Sequence, residues 1–247
     1  CSWDFSSSPN TGGWLRFNNS IAHVPTSQHV VTNTALLEDW GALFWRLGGA
    51  CRLSYTRWKL GQGMERSFKK EVAQLRLGEG EIFSGEGILA VTKALLQSGV
   101  SYIGGYQGAP VSHLLDVMVD SSELLDELGV HLETPTNEAA AAAMLAASIN
   151  YPMRGAVTWK SVVGTNVASD ALSNLSSAGV IGGAMIVIGE DYGEGASIIQ
   201  ERSHAFAMKS SMCLLDPRPN LTSIVDTVEK GFELSEASNM PVMLQLR

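Results

Sequence analysis

From residue 87 onward, apolar positions recur in alternating helix-length and strand-length segments with short polar connections between them. Residues 87–98 carry Ile88, Val91, Leu95 and Leu96 at helical spacing, and Gly99 follows as the residue best suited to close a helix. A short β-rich run at 100–103 comes next. Residues 111–128 then read as a helix, apolar at 114, 115, 118, 124, 125 and 128 and broken around 120–122. Residues 130–132 form a second strand. The helix at 138–149, nearly all alanine at its start, is closed by Asn150 and Pro152. The runs 156–159 and 185–188 are continuously apolar and flanked by glycine, the pattern of strands buried on both faces. A helix at 167–178 lies between them. Strands at 212–215 and 242–246, joined by a helix at 221–238, complete the order. This alternation predicts an α/β fold: a doubly wound, mostly parallel six-stranded sheet with helices on both faces.

Composition divides the 247 residues near Met64. Residues 1–63 hold five of the six tryptophans, none of the nine methionines, and five Lys/Arg against three acids. They lack sustained periodicity, apart from a short amphipathic stretch at 35–47. Either these aromatics form an extra binding module or Met64 is the true start; the second reading is favoured, with 1–63 unstructured or foreign to the natural protein and 64–247 a domain. The chain stops directly after its last strand at Arg247, which is taken as truncation before further domains. The net charge of −8 argues against nucleic acid as a partner, because phosphate recognition needs a basic face. Three scattered cysteines (Cys1, Cys51, Cys213) fit a reducing compartment and leave no cysteine-held cluster or zinc site to this chain alone. No apolar run reaches the roughly 18 residues of a membrane span. A cytoplasmic protein with no membrane partner is expected.

Candidate chemistry collects after the strand ends. Gly-Gly-Tyr-Gln-Gly-Ala-Pro at 104–110 and Thr-Pro-Thr-Asn-Glu at 134–138 each follow an apolar run and open into a helix. Loops at the carboxyl ends of neighbouring parallel strands meet where open α/β sheets bind ligands. By position alone Glu138 is a first-turn acid complementing the helix dipole, with Asn137 as its cap. The alanine face behind it and the adjacent loop, with Tyr106 and Gln107 suited to covering a planar ring, make it a catalytic candidate as well. Lys160 leaves a strand end and suits either a substrate carboxylate or a solvated loop. The acids at 190–194 match no metal signature and read as a solvated loop. His204 reads as a surface histidine or an acid–base group, and His113 and His131 have no evident partner. The glycines at 78–87 lack the buried strand that a dinucleotide fingerprint requires.

In succession, the 104–110 loop, Asn137-Glu138-Ala-Ala-Ala and Lys160 with Gly164-Thr-Asn166-Val-Ala-Ser-Asp170 resemble the pyrimidine-binding domain of thiamine-diphosphate-dependent 2-oxoacid:ferredoxin oxidoreductases. The alpha subunits of the indolepyruvate type are nearest. Gly182-Gly183-Ala-Met-Ile-Val-Ile, Gly-Glu-Asp-Tyr-Gly, Gln200-Glu201-Arg-Ser-His204 and Phe232-Glu-Leu-Ser-Glu236 continue the likeness, which covers roughly 80–247. The resemblance implies that Glu138 hydrogen-bonds N1′ of the aminopyrimidine. It further implies that Tyr106, Gln107, Gly108, Ala109, Pro110 and Asn137 line the cofactor and that Lys160, Asn166 and His204 stand toward the substrate. No metal ligand is implied in this chain.

The implied reaction is oxidative decarboxylation of an aryl pyruvate to an acyl-coenzyme A, with coenzyme A as co-substrate and electrons passing to ferredoxin. A non-oxidative decarboxylase and a non-catalytic assembly subunit are the alternatives. Mg2+ and iron–sulfur clusters are expected from other domains or subunits. The implied partners are a diphosphate-binding domain or subunit and ferredoxin, in an oligomer. Two replacements depart from the family loop: Gln107 and Ala109 stand where proline and threonine are usual. The interval from Lys160 to Gly164 is also one residue longer than usual, and Ser161 stands where a histidine is common.

Overall fold

The computed structural model describes residues 67–191 and 202–247. The expectations for 1–63, for Tyr192 to Glu194 of the acidic loop, and for Gln200 and Glu201 lie outside these residues. Six strands form one sheet in the order β2-β1-β3-β4-β6-β5, with every neighbouring pair parallel. They are β1 (Tyr102–Gly105), β2 (His131–Glu133), β3 (Gly155–Lys160), β4 (Ala184–Gly189), β5 (Cys213–Leu215) and β6 (Val242–Leu246). The helices are α1 (Gly87–Gln97), α2 (Ser112–Asp120), α3 (Ser122–Leu128), α4 (Glu138–Met144), α5 (Ala147–Asn150), α6 (Ser161–Val167), α7 (Ser169–Ala178), α8 (His204–Lys209) and α9 (Leu221–Ser238).

Both faces of the sheet are covered, which explains why β3 and β4 are apolar at almost every position. On one face Val91, Leu95, Leu114, Met118, Val228 and Phe232 of α1, α2 and α9 pack on Ala156, Met185, Val187 and Leu244. On the other, Ala141, Ala142, Leu172, Leu175 and Ala207 of α4, α7 and α8 meet Val157, Trp159, Ile186, Ile188 and Met243. The side chains of consecutive strand residues alternate between these layers, as the pleat requires.

Local signals account for most helix ends. Asn220 caps α9, accepting from the Ser223 N–H at 2.8 Å, and Asn239 in the left-handed conformation ends it. Ser121 divides α2 from α3, where its hydroxyl donates back to the Val117 carbonyl at 2.6 Å. Two helices differ from expectation. The 138–149 run breaks at Leu145 and Ala146, whose N–H groups bond three residues back, tightening the turn between α4 and α5. The helix expected at 167–178 starts at Ser169, and a separate helix, α6, precedes it. Valine, glycine, threonine and asparagine make α6 a poor helix by propensity, so tertiary packing sets it. A 3-10 turn at Glu71–Arg76, not a strand, precedes the glycines at 78–87, so the dinucleotide fingerprint does not apply. Among the described residues no helix is long and apolar enough to cross a membrane.

Candidate functional site

The chain leaves β1 for the edge strand β2 and then returns to β3 on the other side of β1. The carboxyl ends of β1 and β3 therefore form the topological switch point, where the connecting loops diverge and leave a crevice. The loop 106–111 leaves β1 there. The connection to α4 leaves β2 one strand away, about 5 Å across the sheet, since Gly104 stands opposite Glu133.

Three contacts pin the loop 106–111. The Tyr106 N–H donates to the Thr158 carbonyl at 2.9 Å. The Lys160 ammonium donates to the Ala109 carbonyl at 3.2 Å. The Gln107 amide nitrogen donates to Asp116 Oδ1 at 2.7 Å. Gly108 lies so close to β3 that a Cβ there would sit 2.6 Å from Lys160 Cβ. Gly105 likewise has no room for a side chain against the Thr158 backbone. These close approaches explain two of the loop's glycines without any ligand. Tyr106 and Gln107 are exposed, Tyr106 by 43%. Pro110, reached through a cis peptide bond, lines a cleft of about 190 Å³ with Glu86, Val111 and Leu246.

Glu138 opens α4. Asn137 caps the helix, its side chain accepting from the Ala140 N–H at 2.9 Å. Glu138, Ala141, Ala142 and Leu145 recur at the spacing of one helix face, and all four are buried. Glu138 is 7% exposed as a residue and its side chain makes no hydrogen bond or ion pair to another described residue, yet its carboxylate oxygens are not among the fully buried unpartnered atoms and so keep an opening outward. An acid whose body is buried against alanines while its carboxylate stays open and unpaired is free to bond a ligand at the strand end.

Lys160 differs from expectation. Its ammonium is 2.8 Å from Asp191 Oδ1, and the two side chains are 13% and 10% exposed. It is a clamp between β3, the β4 terminus and the 106–111 loop, already committed within the protein. Glu190 and Asp191 are also not the solvated loop that their composition suggested. Glu190 is 2% exposed and accepts from the Ser203 N–H at 2.8 Å, while the Ser203 hydroxyl meets that of Ser161. Asn166 is exposed on α6. His204, exposed at the start of α8, stands one residue after Ser203 and so near Ser161. The structure thus gathers Tyr106, Gln107, Gly108, Ala109 and Lys160 around the switch point, with Glu138 and Asn137 at the neighbouring strand end.

Sequence reasoning missed Asp116, Asp191 and Thr158. Asp116 also takes His113 Nδ1 at 3.0 Å, and the i,i+3 spacing of this pair on α2 was a visible signal. His131 pairs with Glu133 at 3.3 Å, two residues on along β2 and so on the same face. Both histidines therefore have partners. Thr158 Oγ1 is buried beneath the loop with no hydrogen-bond partner, which no sequence pattern announces.

No family model matches the chain. Indolepyruvate oxidoreductase subunit IorA of Methanothermobacter marburgensis is 29% identical over 171 residues, covering 69% of this chain and 27% of the relative. The protein of the same name from Pyrococcus abyssi is 29% identical over 156 residues, covering 63% and 23%. The 2-oxoglutarate:ferredoxin oxidoreductase of Magnetococcus marinus, solved with 2-oxoglutarate, coenzyme A and succinyl-CoA bound, shares the fold. It matches with a TM-score of 0.54 at 18% identity over 65% of this chain and 28% of its own. The chain is thus similar to members of the 2-oxoacid:ferredoxin oxidoreductase family. It spans about a quarter of the length of the curated relatives it matches. The paired loops at the switch point and Glu138 are the parts for which a role must be found.

Proposed function

We propose that this chain supplies the pyrimidine-binding wall of a thiamine-diphosphate site in an oxidoreductase acting on aryl pyruvates such as indolepyruvate. The observation that carries the reading is Glu138, a largely buried residue whose carboxylate has no protein partner, at the carboxyl edge of the sheet. Such a group fits the ring nitrogen of an aminopyrimidine, which offers it one directed hydrogen bond in place of water. The alanine face of α4 supports the fit, because small side chains let a flat ring lie close to the helix. When bound, thiamine diphosphate supplies the carbanion chemistry by which a 2-oxoacid loses carbon dioxide.

The residues of this chain have separate tasks. Glu138 holds or shares a proton at the ring nitrogen, and low local polarity makes that sharing stronger than it would be in water. Asn137 fixes the first turn of α4 and with it the direction of Glu138. Tyr106, Gln107, Gly108, Ala109 and Pro110 form a loop whose backbone is pinned beforehand, so that little ordering remains for ligand binding. Asn166 and His204 lie exposed beyond Lys160 and border the substrate side. The diphosphate-binding half with its divalent metal, the iron–sulfur clusters, coenzyme A and ferredoxin are assigned to other domains or subunits. The relatives' greater length supports that division.

The test is Glu138→Gln in the assembled enzyme. Exchange of the cofactor's C2 proton with solvent should fall by at least about a hundredfold, the usual scale for a lost acid–base group. Thiamine diphosphate affinity, read by calorimetry, should change by no more than about tenfold. Unaltered proton exchange would remove Glu138 from this role.

A further inference from the structure

The side chain of Gln107 is not left to rotate. Asp116, one and a half turns into α2, meets Gln107 Nε2 with Oδ1 at 2.7 Å and His113 Nδ1 with Oδ2 at 3.0 Å. A carboxylate only accepts hydrogen bonds. The Gln107 amide must therefore turn its NH2 toward Asp116, leaving its carbonyl oxygen facing away. For the same reason His113 carries a proton on Nδ1. His113 is braced in turn by the edge of Phe68, with ring centroids 5.4 Å apart at 61°. Gln107 Oε1 has no partner among the described residues, and the residue is exposed at the mouth of the switch-point crevice. The chain thus holds one oriented acceptor there, with its other face committed.

We propose that Gln107 is a specificity-determining residue and Asp116 its positioning residue, together presenting a hydrogen-bond acceptor to 2-oxoacids whose aromatic ring carries an N–H or O–H donor. The inference rests on the function proposed above and names which aryl pyruvates the site prefers. An oriented acceptor favours a donor-bearing ring and leaves a ring without one nothing to bond. A proline at this position would offer no side-chain acceptor. Held by Asp116, the amide loses little freedom when it binds, so more of the hydrogen bond is expressed as selectivity. Because such a contact exists before and during the reaction, its loss falls on KM rather than kcat.

The experiment uses the complete assembled enzyme and two substrate pairs: indole-3-pyruvate against its 1-methylindole analogue, and 4-hydroxyphenylpyruvate against phenylpyruvate. Each pair differs by one donor. In the wild type the donor-bearing member should have the higher kcat/KM. Gln107→Met, which keeps length and removes the acceptor, should reduce that preference by about threefold to tenfold, the worth of one neutral hydrogen bond. Asp116→Ala should move both ratios in the same direction and add nothing further in the Gln107→Met background, which a merely structural Asp116 would not do. Turnover of both pairs with ratios unmoved by Gln107→Met overturns the proposal while leaving the function intact. A wild type that turns over none of the four overturns the function and the proposal with it.

Discussion

Replacing Lys160 by methionine nearly keeps the length of the side chain and removes its charge and its hydrogen-bond donors, which tests the clamp at the switch point. The ammonium lies 2.8 Å from Asp191 Oδ1 and 3.2 Å from the Ala109 carbonyl. At an effective dielectric constant of about 20, two unit charges at that distance attract by about 6 kcal/mol. Desolvation offsets much of this, and removing one partner of a buried pair costs about 3–5 kcal/mol. About a tenth of each side chain still meets water, which argues for the lower end, about 3 kcal/mol. Urea unfolding followed by circular dichroism reads the change. With a slope of about 2 kcal/mol/M, the midpoint of Lys160→Met should fall by about 1.5 M. A cycle with Asp191→Asn and the double variant separates the pair from the other contacts of each residue. The coupling should be at least about 1.5 kcal/mol. A single variant within about 0.5 kcal/mol of the wild type, or additive effects in the cycle, would refute the clamp.

At the opposite end of the sheet, Arg154 holds both carboxylate oxygens of Glu236 at 2.6 and 2.7 Å. That hydrogen bond keeps Glu236 below its ordinary value of 4.5, against the opposing effect of burial. A carboxylate depressed on folding stabilises above its unfolded value and loses that contribution as pH falls through the folded one. The stability gap between wild type and Glu236→Gln should thus be present at pH 7, amount to no more than about 1 kcal/mol given the exposure of both groups, and shrink below pH 4.5; a gap that widens in acid contradicts the assignment. Asn137→Ala should cost about 1 kcal/mol in thermal unfolding and also weaken thiamine diphosphate binding, whereas Asn137→Asp keeps the cap. Loss of stability without loss of binding would separate the cap from the site.

The sheet was legible because a strand buried on both faces has few alternatives to a continuous apolar run. All six strands lie within two residues of their expected limits, and the all-parallel order follows from the helices between them. The misjudged helices share a cause. In the alanine run after Glu138 nothing in the side chains marks the break at Leu145, which is made by backbone bonding. In α6, poor intrinsic propensity hid a helix that packing enforces. Charges were read least well. Lys160 and Asp191 are 31 positions apart, and neither residue alone reveals that each is buried against the other. Glu190 was misjudged for the same reason, since a run of acids looks solvated until the chain that covers it is placed.

Those hidden charges hold the loop 106–111, in which Gln107 and Ala109 stand in place of the proline and threonine expected from the sequence resemblance. A proline at 107 would restrict backbone torsion, and a threonine at 109 would add a hydroxyl. The chain compensates from two sides. Lys160 grips the loop's Ala109 carbonyl from β3, and Asp116 grips the Gln107 amide from α2. The Tyr106 N–H joins the loop to Thr158 between these points. Residues on two different elements, β3 and α2, thus supply the restraint that one proline would supply locally, and they leave an acceptor exposed where proline has none. A loop held only by its own backbone would gain freedom from the substitution, whereas this one gains a polar group in a defined orientation. Altered chemistry at the crevice therefore need not mean a decayed site, and the preference between donor-bearing and donor-free rings is where the two cases part.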